Sequence, residues 1–90
     1  MSLTEQAIAI CGWQCVSTAL HRKTECKIYL QQNALKVSNA QLKLASLLQD
    51  TDKARDYLQA LDTNLQHTII NNWLSDLSFD AMQEIMENNN

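Results

Sequence analysis

Apolar residues recur at intervals of three and four along nearly the whole chain, which is the spacing that puts side chains on one face of an α-helix. The cleanest run is Leu30, Ala34, Val37, Gln41, Leu44 and Leu48, spaced four, three, four, three, four. This is the a/d seam of coiled-coil-like packing with a single polar member, and it predicts a helix from about Glu25 to Gln49 with Gln41 fixing register. A second row, Ile28, Leu35 and Leu42, repeats every seven residues more than 100° from the seam, so this helix carries apolar surface on two sides. Either it lies in the middle of a bundle, or one row is kept for a partner.

Before it, Leu3, Ala7, Ile8, Cys11, Cys15, Ala19 and Leu20 predict a first helix that runs to about Leu20. Ile10, Trp13 and Val16 widen its stripe until little polar surface is left, which implies packing on more than one side. Ser2 or Thr4 supplies its cap, with Glu5 in the first turn. The polar group His21-Arg22-Lys23-Thr24 breaks it from the second helix. After the corner Gln49-Asp50-Thr51-Asp52, Ala54, Leu58, Leu61 and Leu65 repeat the four-three-four spacing and predict a third helix that continues through Ile69 and Trp73. Asn71-Asn72 is expected to bend or fray its far end. Ser78 caps a short fourth helix, with Phe79, Met82, Ile85 and Met86 on one face and Asp80 in its first turn.

Composition strengthens the helical reading. The 90 residues hold no proline and one glycine, Gly12, so the usual punctuation of turns is missing and long helices joined by short polar corners are expected. The predicted fold is a single all-α domain over residues 1–90: a small antiparallel bundle of three main helices plus a short C-terminal helix. A domain of this size acts through its outside, because it cannot enclose a deep site.

Charge then divides the chain. Residues 1–49 hold five basic residues against two acidic, a balance of +3, and residues 50–90 hold two against eight, a balance of −6. An acidic surface offered to a basic partner produces such asymmetry, and so does attraction between the halves of a bundle. Ahead of the first apolar run the only charge is Glu5, the wrong sign for a secretory signal. The longest mostly apolar stretch, Ala7 to Val16, is about half of what a bilayer crossing needs. With an odd count of cysteines, Cys11, Cys15 and Cys26, read as buried apolar thiols in a reducing compartment, the expectation is a cytoplasmic protein with no membrane partner.

Chemistry is sparse. Cys11 and Cys15, with His21 or Cys26, offer soft metal ligands, but structural zinc sites use tighter pairs on turns, so no cofactor is expected. Cys26 lies among Arg22, Lys23 and Lys27, which lower a thiol pKa. Ser17 with His21, and Thr63 with His67, bring hydroxyl and imidazole within reach on a helix, without an orienting acid or an oxyanion hole. No Glu-x-x-His pair or glycine-rich phosphate loop occurs, and an enzyme is not expected. A DNA-binding regulator would rest on Arg22, Lys23 and Lys27 alone, while the C-terminal helix is acidic where a recognition helix is basic.

Recognition of another protein remains. The expected surface is the row Ile28, Leu35 and Leu42 with Trp73, or the acidic row Asp76, Asp80, Glu84 and Glu87, spaced four, four, three on one side of the last helix. For Trp13 and Trp73 themselves, a core position is expected ahead of an interface position. The chain reads as an adaptor, small chaperone, inhibitor or regulator of a protein partner, with a homodimer through the same row as a further form; metal- or thiol-dependent chemistry at Cys11, Cys15 and Cys26 is the other alternative.

Overall fold

The computed structural model describes residues 3–74, which are all-helical apart from short breaks. Six helices are present among them: α1 (Leu3–Cys11), α2 (Trp13–His21), α3 (Lys23–Gln32), α4 (Ala34–Leu47), α5 (Thr51–Ala60) and α6 (Thr63–Trp73). Each of the three long helices expected from the periodicity is thus two shorter ones. The expected fourth helix, from Ser78 onward, falls outside the described residues, as do Asp76, Asp80, Glu84 and Glu87.

Each break has its own chemistry. Gly12 ends α1 with φ +91° and ψ 157°, a backbone region open essentially to glycine alone. Asn33 ends α3, and its Nδ2 donates to the carbonyl of Tyr29 at 3.1 Å, a side-chain bond that competes with continuation of the helix. Asp62 caps α6, its carboxylate accepting from the Leu65 amide at 3.1 Å while its own backbone is extended. The expected corner after Gln49 is present as well. There Asp50 is the capping residue, accepting from the Lys53 amide at 3.2 Å.

Packing follows the chain. α1 lies against α2 and α5, and α2–α3, α3–α4 and α4–α5 are also neighbours, so five helices form a closed succession of contacts. α6 packs against α2, α3 and α4 and is the most buried of the six, with Leu65, His67, Thr68, Ile69 and Ile70 all inside. Ile69 and Ile70 stand about 100° apart on the helix, so burial of both means that α6 is covered on more than one side. The rest of the core comes from Ala7 and Ile10, Val16 and Ala19, Val37, Ala40 and Leu44, Ala54 and Leu58, and Leu74. This explains the over-wide stripe of the first predicted helix. Gly12 divides it, and each half turns its own face inward.

Helix ends are stitched by long-range polar contacts. The last four carbonyls of a helix lack an internal partner. Arg55 of α5 donates from Nε and Nη2 to the Ala9 carbonyl at 3.2 and 3.1 Å, and Asn71 of α6 donates to the Ala19 carbonyl at 2.9 Å. Asn72 reaches Gln41 Oε1 at 2.9 Å. The two asparagines expected to fray this end of α6 instead tie it to α2 and α4. Gln41, the polar member of the seam, thus accepts a hydrogen bond from α6. No helix among the described residues is long and apolar enough to cross a membrane.

Candidate interaction groove

The seam of the predicted second helix is only partly covered. Val37 and Leu44 are buried, Leu30, Gln41 and Leu48 are half-buried, and Ala34 is exposed. All six line an open groove of about 410 Å³. Ser38, Leu42 and Ala45 add the outer side of α4, and Asn72 and Trp73 form the wall contributed by α6. Among the described residues none of those lining the groove is charged, and this part of its surface suits apolar groups.

The expected partner-binding residues divide on this geometry. Ile28, Leu35 and Leu42 are 50%, 75% and 68% exposed, far more than apolar side chains committed to a core. Leu42 stands at the groove, and Leu35, two turns earlier on the same side of α4, continues the exposed strip outward. Ile28 belongs to α3, across the break at Asn33, so the seven-residue row does not run along one rod. Trp73 is half-buried against the core and lines the groove. Trp13, expected in the core, is instead 41% exposed at the start of α2. The groove wall of Asn72 and Trp73 had no local signal beyond the tryptophan itself.

The cysteines do not behave as three buried thiols. Cys11 and Cys15 form a disulfide that spans Gly12, and both are half-buried. In this state neither has a thiolate to offer a metal, and the odd-cysteine argument for a reducing compartment no longer holds. Cys26 is free and buried. Burial pushes its thiol above the ordinary range, over the opposing effects of the Thr68 hydrogen bond and the Arg22 charge, so the basic cluster does not activate it. Among the described residues no group of three or more His, Cys, Asp and Glu side chains is placed to hold a metal ion.

Arg22 is likewise engaged inside the fold. Its Nη1 donates to His67 Nδ1 at 2.8 Å and its Nη2 to Asn64 Oδ1 at 2.7 Å, joining the α2–α3 corner to α6. Of the cluster considered for nucleic acid, Lys23 and Lys27 remain exposed. The Ser17–His21 pair is also redirected, since His21 Nδ1 donates to the Ser17 carbonyl at 2.8 Å.

A guanidinium has no acceptor, so His67 must present a bare Nδ1 and carry its proton on Nε2. Burial, and then the Arg22 charge, hold the His67 pKa below its ordinary 6.5. As pH falls through 6.5 the unfolded chain takes up a proton that the folded chain refuses, so stability falls from pH 6.5 down to the folded pKa and then levels off. Arg22→Ala is expected to cost about 1–2 kcal/mol at pH 8, from the lost partners of His67 and Asn64. It also raises the His67 pKa and flattens the acid slope. Urea titrations of both proteins between pH 5 and pH 8 check both effects.

No protein-family model, curated protein or solved structure matches this chain.

Proposed function

We propose that the protein is a non-enzymatic interaction module whose acting surface is the groove between α4 and α6 together with the exposed strip of α4. The observation that carries this reading is the exposure of Leu35 and Leu42, 75% and 68%, beside a groove that has no charged side chain among its described lining residues and is floored by a half-covered seam. Apolar surface gathered around a concave feature is characteristic of a binding site, whereas scattered exposed leucines carry no such meaning. A helix laid into a groove meets it through side chains spaced three and four apart, and the floor of this groove has that spacing. The partner is therefore a protein offering an amphipathic helix. A second copy of the chain is one form it takes.

The test is paired capture from the native source by the wild-type protein and by Leu35→Glu/Leu42→Glu, with the solution mass of each measured by light scattering. Both positions are exposed, so the variant is expected to keep its fold and to change stability by no more than about 1 kcal/mol. It should lose the captured partner, or the dimer, at least tenfold, since a charge facing an apolar contact is left unpaired on binding. If both proteins retain the same partner at the same strength, or neither captures anything and both are monomers, this surface is not the acting one.

A further inference from the structure

We propose that the partner is a different protein whose docking helix carries an acidic edge, matched to a row of lysines that runs beside the exposed leucines of α4. This rests on the reading of the exposed strip as the partner-binding surface and names the chemistry of what that surface takes.

The rows follow from helical spacing. At about 100° per residue, Leu35 and Leu42 stand within about 20° of each other around the axis of α4. Ser38, Gln41 and Ala45 lie on one side of them, toward the groove. Lys36 and Lys43 lie on the other side, about 80–100° away. Both lysines are exposed, as are Asn39 and Ser46 between the two rows. The leucines and the lysines share the same seven-residue interval, so the two rows run in parallel along the helix.

Little in the described fold offsets this charge. α4 contains no Asp or Glu. Lys43 has no ion pair among the described residues, and Lys36 has one, to Asp62 at 3.8 Å, with both side chains more than half exposed. A pair that long and that wet contributes little and is readily exchanged. The acids that follow α4 are engaged elsewhere, Asp50 by the Lys53 amide at 3.2 Å and Asp52 by Arg55 at 3.1 Å.

The lysine row also selects between occupants. Two copies paired through the leucine strip would bring four lysines to one interface and no acid from either α4, so charge opposes that dimer. A helix whose apolar side covers Leu35 and Leu42, and whose near edge carries Asp or Glu seven residues apart, meets both lysines instead. Their long stems lie over the apolar contact and set the ammonium groups at its rim.

The experiment uses the full chain and three synthetic amphipathic peptides that share one leucine face and differ along one edge, which carries Glu, Gln or Lys. Binding is read by the fluorescence anisotropy of labelled peptide at low and at high salt. Each rim ion pair is expected to contribute about threefold, so the Glu-edged peptide should bind about tenfold more tightly than the Gln-edged one, with the Lys-edged one weakest. High salt should narrow these ratios, because exposed pairs are screened. Lys36→Ala/Lys43→Ala should bring the Glu-edged and Gln-edged peptides to within about twofold of each other. Lys36→Glu/Lys43→Glu should reverse the order. Lys23→Ala/Lys53→Ala removes the same charge from exposed positions of α3 and α5 and should leave the preference intact.

Equal affinity for the three peptides overturns the proposal, as does a preference that Lys23→Ala/Lys53→Ala abolishes equally, since net charge alone then explains it. A dimer whose mass falls in Leu35→Glu/Leu42→Glu also overturns it, because a second copy then holds the strip. Failure here is separable from failure of the surface itself. If the peptides bind alike and all are lost on Leu35→Glu/Leu42→Glu, the surface acts and only the acidic edge is wrong. If no peptide binds, or binding is indifferent to Leu35 and Leu42, both readings fall.

Discussion

Ile69→Ala is expected to lower the free energy of unfolding by about 4 kcal/mol, out of the 5–15 kcal/mol that a domain typically possesses. Ile69 is fully buried, and it sits in α6, the helix packed against α2, α3 and α4. Removing three of its carbons leaves a void bordered by several elements at once, none of which can move in without drawing away from another. The loss therefore combines the transfer of the missing groups with a cavity that relaxes only in part. Ile69→Val, which deletes one methyl, should cost about 1 kcal/mol. Leu35→Ala, at a position 75% exposed, should be within about 0.5 kcal/mol of wild type. Chemical denaturation with matched slopes measures all three. An Ile69→Ala cost no larger than that of Leu35→Ala would remove α6 from the centre of the packing.

The second large effect concerns Gly12 and is decided by its sign. If α1 and α2 were one continuous helix, Gly12→Ala would stabilise it by about 0.5–1 kcal/mol, since glycine is a poor interior helix residue. The observed backbone, φ +91° and ψ 157°, predicts the opposite. Beyond the adjoining residues no heavy atom lies within 4 Å of an added Cβ, so tertiary crowding contributes nothing and the penalty is torsional, about 1–3 kcal/mol for alanine. Gly12→Val should cost more, because its branched side chain is stiffer. Gly12→Asn should give no relief, since asparagine tolerates the left-handed helical region near ψ +47° and not this one. Thermal or urea unfolding of the alanine variant discriminates the two. A gain in stability would restore the single long helix.

These two sites show what could be read along the chain and what could not. The seam from Leu30 to Leu48 and the corner at Asp50 were legible because they are local: one is a period, the other a capping residue at the end of that period. The breaks at Asn33 and Asp62 were not, because the apolar spacing continues across each and a lone polar residue looks like one exposed position on a helix. In hindsight Asp62-Thr63, a capping residue directly after Leu61, carried the fainter version of the signal read at Asp50. Gly12 was visible, and its effect was hidden by the apolar residues on both sides. The ties between Arg55 and Ala9, Asn71 and Ala19, and Arg22 and His67 join residues more than forty positions apart, and spacing holds no information about them. Of the proposed surface, the row that holds Leu35 and Leu42 was legible by counting apolar residues, which left open whether a bundle or a partner covers it. The groove was not, because a half-covered seam has the same sequence as a covered one.

The helices described here are 9 to 14 residues long, below or at the limit of about 12–15 at which an isolated helix begins to persist in water. Synthetic fragments matching any one of them should therefore be random coil, and hydrogen exchange from their interior amides should report a shared global opening rather than six separate ones. Order in this chain is a collective property: subdividing the rods gave up local autonomy and left tertiary contact as what holds each turn of backbone in place.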